Sequence, residues 1–366
     1  MSGSVNSLNA SYLNSYNLAI DWPHPVKFAV IGAGFYGLHI ATRLKALGLE
    51  TKVFEKADDI LRFASGNNQF RLHLGFHYAR NFRTRQQSRD GYFRFLERYG
   101  KLTEAIQDNY YLVPRGDSVI NFSTYKLIMM SSGLDFIEKN TPEEIRHPCG
   151  SILTAERVLM VDRARKHFYH QLNEIIELGT EAILSIKEDS VEVNGESFDY
   201  CIDCTWGHLM PDKNFFFEST ILLYYRKKTS SIPVRAYTFV DGPLCSLYPT
   251  ERPSIFTLSS VIHTPVEQHN TSAEALHAIK NLSNQDINLK RLLMEKQIMK
   301  YYPSFLDDYE YADPQLCVKT KPFGQDDDRS CYVKKHGRLI KCLSGKVDNI
   351  FYAAAEVMAL IENEQP

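Results

Sequence analysis

No stretch of this chain approaches the roughly 20 consecutive apolar residues that a membrane-crossing helix needs. Neither lysine nor arginine occurs before Lys27. The N-terminal stretch therefore lacks the basic n-region of a secretion signal and the arginines of a transit helix, and a cytoplasmic location is expected. Charge of one sign is lacking too. The 42 basic side chains face 44 acidic ones, for a net charge of -2, which argues against nucleic acid or a membrane surface as partner. Cysteine is scarce and odd in number, seven in 366 residues, in a chain too long to need disulfide staples, so reduced thiols are expected. Tryptophan occurs only twice, yet tyrosine and phenylalanine number 21 each, which suits β-rich lobes and apolar pockets with polar handles. The length predicts two domains, or one domain carrying an inserted lobe. Residues 1–25, rich in Asn and Ser, read as a flexible lead-in.

From residue 26 the pattern sharpens. VKFAVI (26–31) is a nearly continuous apolar run, as a buried parallel strand should be. Gly32-Ala33-Gly34-Phe35-Tyr36-Gly37 follows at once, then Leu38, Ala41 and Leu44 at helical spacing, and Gly48 as the stop. LETKVF (49–54) reads as a second strand and ends at Glu55. Strand, glycine loop, helix, strand and acid occur in the order of a dinucleotide fingerprint. Gly32 permits the tight turn, Gly34 lets backbone approach a pyrophosphate, and Gly37 lets helix and strand pack closely. Phe35 and Tyr36 open the helix whose free N–H groups would face the phosphates. Glu55 would accept hydrogen bonds from the ribose, with Lys56 beside it.

FAD and NAD share this fingerprint, and other segments separate them. Residues 182–187 and 190–193 form a hairpin-like pair closed by Asn194-Gly195, and FDYCIDCTWG (198–207) follows as a short strand ending in Thr205-Trp206-Gly207. Gly150-Ser151-Ile152-Leu153 precedes a helix read over 164–178, and residues 343–353 read as a closing strand before an Ala-rich helix. In this order the chain resembles the D-amino-acid oxidase superfamily, the glycine oxidase and sarcosine oxidase group. The resemblance implies an α/β fold: a Rossmann-type FAD-binding domain of the glutathione-reductase type (26–105, 148–212 and 326–366) with an inserted, mainly antiparallel β substrate domain (106–147 and 213–325). It implies FAD as cofactor, with Gly345, Lys346, Val347 and Asp348 in a closing turn against the isoalloxazine. This turn departs from the superfamily's glycine-rich pattern. A single fingerprint suggests that electrons come from an organic donor rather than from NADPH.

Residues 62–98 hold eight arginines and no lysine, against Asp90 and Glu97. Arginine offers a planar fork for carboxylate or phosphate. Asn67, Asn68 and Gln69 have amides suited to the flavin's pyrimidine edge. Beyond them apolar residues alternate with Arg71, His73 and His77, which a strand would place on one face. Three readings stay open for the histidines: flavin-site partners, structural polar groups, or metal or covalent-flavin ligands. No third ligand at recognisable spacing supports a metal. The later arginines suit a helix whose polar face holds Arg83, Gln86, Gln87, Asp90, Arg94 and Glu97, with Tyr92, Phe93, Leu96 and Tyr99 more buried. Cys201 and Cys204, three apart on a strand, should point to opposite faces.

The insert reads as strands at 215–225, 235–240, 244–248 and 254–261, with helices at 271–282 and 286–300. In the superfamily such a sheet roofs the flavin, which makes Tyr78, Tyr237, Arg329 and Arg338 candidate contacts to a small, anionic substrate. Arg71, His73, His77 and Tyr248 are the candidate catalytic groups. The expected reaction is hydride transfer from a C–H beside an amine or hydroxyl to flavin N5, with reoxidation by oxygen or another acceptor. Two alternatives remain: a non-redox flavoenzyme similar to UDP-galactopyranose mutase, and a non-catalytic nucleotide-binding scaffold.

Overall fold

A computed structural model describes residues 26–324, 328–343 and 345–362; the lead-in 1–25 lies outside them. The strand Lys27–Ile31 pairs in parallel with Glu50–Phe54 on one side and Tyr200–Asp203 on the other. Leu339–Leu343 extends the sheet in parallel and Tyr332–His336 closes that edge antiparallel, while Ile176–Glu177 closes the other. The central strand is apolar from Phe28 on because both its faces are covered there. Phe28 and Val30 join the core beneath the helices Phe35–Ala46 and Ile350–Glu362. Ala29 and Ile31 face a three-stranded meander, Leu184–Ile186, Val191–Val193 and Glu196–Phe198. Asn194 and Gly195 join two of its strands with φ of 53° and 85°, the double positive φ of a type I′ hairpin turn.

A second, nine-stranded sheet is built mainly of antiparallel pairs, with one parallel pair between Arg235–Phe239 and Asp108–Pro114. Its backbone is the long ladder between Phe215–Lys227 and Tyr309–Pro322. Side chains alternate between two cores. Tyr110, Leu112, Tyr237 and Leu247 pack outward with Met294 and Ile298 of the helix Asn284–Tyr301, whereas Tyr111, Val113, Ala236 and Tyr248 pack inward toward the first sheet. Burying each such large side chain contributes roughly 1.5–3 kcal/mol.

Several expectations shift. Gly150–Leu153 belongs to the strand Pro148–Leu153, which pairs with Asp108–Pro114 in the second sheet rather than with the first. The mid-chain helix is Val161–Leu172, not 164–178. The closing strand is Leu339–Leu343, so residues 345–349 form a turn and one tight helical turn, and Ile350–Ala353 is already helix. On the helix Phe82–Tyr99, Phe93 is exposed and Phe95 takes the buried position. No described helix is long and apolar enough to cross a membrane.

Candidate active site

A cavity of about 1090 Å³ lies between the two sheets. One end is built by the glycine loop. Gly32 has φ of 97°, and its N–H donates to the Phe54 carbonyl at 2.8 Å. A Cβ at Gly37 would lie 2.0 Å from the Gly32 carbonyl oxygen, so only glycine lets the helix approach the loop this closely. Gly34 starts the helix with no capping side chain, and no acid occupies the first turn. The helix end therefore offers N–H groups and partial positive charge to the cavity. Ser65, which sequence reasoning missed, accepts from the Phe35 N–H at 3.1 Å. Glu55 is buried at the cavity wall, where its carboxylate accepts from the N–H groups of Ala33 (2.8 Å) and Ala57 (2.9 Å). Lys56, Phe35, Tyr36, Thr205 and Trp206 also line this end. Trp206 sits at φ of 59° and its indole lies over Gly345, where a Cβ would come within 2.7 Å of the ring. Gly37 and Gly207 stay off the wall; Gly207 packs near Leu343 and Thr320.

Asn67 and Asn68 line the cavity, with their NH2 groups engaged inside their own loop. Asn67 donates to the carbonyls of Arg62 and Phe63, Asn68 donates to Ala64 and Ser65, and the Asn68 carbonyl oxygen accepts from the Phe70 N–H. Both close a turn of their own loop, as short amide side chains do. Gln69 bridges to the second sheet by accepting from the Ser246 hydroxyl at 2.9 Å.

The other end gathers the charged groups. Only Arg71 and Leu72 form a strand there, yet Arg71, His73, His77 and Tyr78 share the cavity wall because Gly75 turns the chain. Arg71 is buried, with its guanidinium 4.0 Å above the Tyr248 ring and Nη1 donating to Tyr111 Oη at 3.1 Å. Its Nε and Nη2 have no partner. Tyr111 in turn donates to Glu156 at 2.6 Å, and Glu156 also accepts from the Leu74 N–H at 2.8 Å. Tyr111 and Glu156 were not found from the sequence. The His73 and His77 rings are 5.9 Å apart; neither Nδ1 makes a hydrogen bond, and His73 Nδ1 lies 3.7 Å from the Glu156 carboxylate. Burial, then the charges of Lys346 and Arg71, push both imidazoles well below their ordinary pKa, so they are neutral at pH 7. Lys346 is half-buried at the wall, its Nζ 4.4 Å from the centre of the Tyr78 ring, and its carbonyl accepts from Tyr36 Oη. Burial first, with Arg71 adding to it, brings the amine down to about 7 against the pull of Asp348.

The roof comes from the register Glu218↔Lys319 of the long ladder. Glu218 pairs with Lys321 on this face, beside Lys319, whose amine burial lowers. Arg329 lines the cavity and is held by its N–H to Thr84 Oγ1 at 3.0 Å.

Four expected contacts lie elsewhere. Tyr237 points into the outer core and donates to Glu144 at 2.6 Å. Arg338 donates to Tyr200 Oη at 2.6 Å at the hairpin of the first sheet's edge. Tyr248 is fully buried beneath Arg71 and donates to the Arg157 carbonyl at 3.3 Å, so it supports the site without reaching the cavity. Asp348 turns away from the cavity that Lys346 and Val347 line. The seven cysteines are free thiols, with Cys201 in the meander-side core and Cys204 at the cavity wall.

A relative from Fusarium mangiferae named FAD-dependent monooxygenase FPY4 is 49% identical over 93% of this chain and 92% of its own length. The chain belongs to the FAD-dependent oxidoreductase family. The family's model, described as FAD dependent oxidoreductase, matches residues 27–169. Among solved structures, the FAD-bound L-alpha-glycerophosphate oxidase of Mycoplasma pneumoniae superposes with a TM-score of 0.69 at 12% identity, covering 92% of this chain and 94% of that one. Glycine oxidase from Geobacillus kaustophilus gives 0.68 at 11% identity, covering 93% and 96%. The protein is thus an FAD-dependent enzyme, which sets aside the scaffold alternative. The chain's own geometry fits the cofactor: a helix end with no acid in its first turn, a glycine cradle that a Cβ would fill, and a buried acid at the second strand's tip.

Proposed function

We propose that the first sheet is a Rossmann-type FAD domain, that the second is its substrate roof, and that the enzyme oxidises a small anionic donor. The observation that carries this reading is Arg71: a buried guanidinium on the cavity wall whose Nε and Nη2 have no hydrogen-bond partner. A buried cation with open donors is costly unless an anion completes it.

Bound FAD supplies the two-electron acceptor, chemistry that no side chain here can provide. The loop Gly32–Gly34 and the following helix end would hold its pyrophosphate, Glu55 its ribose, and Gly345–Val347 its ring system. Arg71 orients the donor's anionic group, and Glu156, acting through Tyr111, fixes the guanidinium. His73 and His77, being neutral, hydrogen-bond the donor's heteroatom. Lys346, with its amine near neutrality, takes the proton which that heteroatom gives up. Holding donor and acceptor together removes several kcal/mol of barrier, on the order of the proximity effect in oriented reactions.

A second reading has one observation in its favour: the 49% identical relative is named a monooxygenase. The two separate in one experiment. Purified holoenzyme is mixed anaerobically with amino acids, hydroxy acids and amines, and the yellow band is followed. Bleaching by such a donor alone supports the oxidase-type reading. Bleaching by NADH or NADPH only, with an atom of labelled oxygen entering the product in air, supports the second.

A further inference from the structure

The segment Gly345–Asp348 separates two cavities. Gly345, Lys346 and Val347 line the large one, whereas Asp348 lines a second of about 300 Å³. The exposed side chains of Arg83, Asp90 and Arg94 stand at the outer wall of this second cavity, which connects it to solvent. Asp348 is completely buried, and neither carboxylate oxygen has a hydrogen-bond partner. The Ser88 hydroxyl beside it is also buried; it is near enough to hold the carboxyl's pKa down, but it makes no hydrogen bond of ordinary length. A buried carboxylate without a donor calls for a reason. Packing holds the segment where it is, because a Cβ on Gly91 would lie 1.8 Å from the Asp348 carbonyl oxygen. Lys346 attracts the carboxylate and Glu156 repels it, while Arg83, Asp90 and Arg94 face it across the second cavity.

We propose that Asp348 is the proton outlet of the active site, passing to solvent, through the second cavity, the proton that Lys346 takes from the donor. This rests on the donor-oxidation reading above. Oxidation of H–C–X–H to C=X sends one hydrogen with two electrons to the flavin, and the X–H proton departs without electrons. The neutral Lys346 amine takes that proton and becomes an ammonium. A water then carries it to the Asp348 carboxylate, because no hydrogen bond joins the two side chains, and this restores the amine. Water in the second cavity carries it off, and both side chains end as they began. Burial, the largest cause for each, draws the pair together: the amine down to about 7 and the carboxyl up to about 6, so the handover is nearly level.

The test uses holoenzyme in an anaerobic stopped-flow, with a bleaching donor and a pH-indicator dye. In the wild type the dye signal should keep step with bleaching. In Asp348→Asn, which cannot accept a proton, it should lag by about ten-fold or more. In Asp348→Ala, added acetate should restore it, a rescue that loss of structure alone would not allow. Independently of turnover, infrared spectra of the wild-type apoprotein should show a buried carboxyl band that titrates near pH 6. Dye and bleaching in step in Asp348→Asn overturn the outlet alone. No bleaching by any donor in the wild type overturns the donor-oxidation reading and the outlet with it. Should the variants not fold, the wild-type titration decides, and a missing carboxyl band below pH 6 overturns the proposal.

Discussion

Replacing Arg71 with lysine tests the anion site without emptying it of charge. Arg71→Met would leave Tyr111 and the buried Glu156 behind it without the guanidinium they hold, and binding would be confused with unfolding. Lysine keeps a positive charge near Glu156 but loses the fork. A compact ammonium cannot lie flat on the Tyr248 ring at 4.0 Å while presenting two parallel N–H groups to an anion. Each hydrogen bond to a charged partner is worth about 1.5–3 kcal/mol, and 1.4 kcal/mol is about ten-fold in affinity. Losing one of the two open donors should therefore raise KM for an anionic donor roughly ten- to hundred-fold, with a smaller change in kcat. The assay compares wild type and Arg71→Lys on a bleaching donor and on its neutral amide. It adds the Kd of a simple aromatic carboxylate, read from perturbation of the flavin band, and the melting temperature. Unchanged KM and carboxylate Kd at equal Tm would refute the reasoning. So would an equal rise for the neutral amide.

Gly37→Ala should abolish flavin retention, because its Cβ would meet the Gly32 carbonyl oxygen at 2.0 Å; absorbance of the purified variant reads this directly. The rate of donor oxidation should rise with pH through about 7 as Lys346 loses its proton, and Lys346→Arg should move that limb upward, since the two histidines ionise far lower. Stability follows the same group. With the folded amine near 7 and the unfolded one near 10.5, the unfolded chain binds more protons between those values. Apoprotein melts should therefore show the wild type gaining on Lys346→Met as pH rises from about 7 to 10.5. Gly345→Ala should displace the Trp206 indole, which lies within 2.7 Å of the added Cβ, and weaken FAD binding as measured by fluorescence titration.

What could be read from the sequence was what neighbours along the chain decide. The glycine loop, its helix and Glu55 form one local unit, and Asn194-Gly195 names its turn from two residues. What could not be read was set by distant segments or by the choice of face. Arg71 is completed by Tyr111 and Glu156, 40 and 85 positions away, and nothing near Arg71 announces them. Tyr237 was assigned to the right strand but the wrong side, since both faces of that strand are covered and aromatic residues suit either. The strand Tyr309–Pro322 escaped notice because its acids, lysines and two prolines hide an alternation that becomes visible only beside Phe215–Lys227. Asn67 and Asn68 reach the cavity wall as expected, but their role in closing a turn was not legible, because a turn-closing amide and a ligand-binding amide look alike in one dimension.

The order of strands in the first sheet bears on how the protein is made. Residues 27–31 lie beside 200–203, and these lie beside 339–343, so the strand that extends the sheet is made only after the whole second sheet. The strands of the second sheet between 215 and 322 are made while the first sheet is still missing two of its own. Such long-range closure is slow, since loop entropy is lost before the contacts form. Lys346 and Val347 come soon after that strand, so the complete cavity awaits residues made after the second sheet. A cell short of FAD would then accumulate chains whose roof is assembled over an open floor, and cofactor supply would govern how much protein survives as well as how much is active.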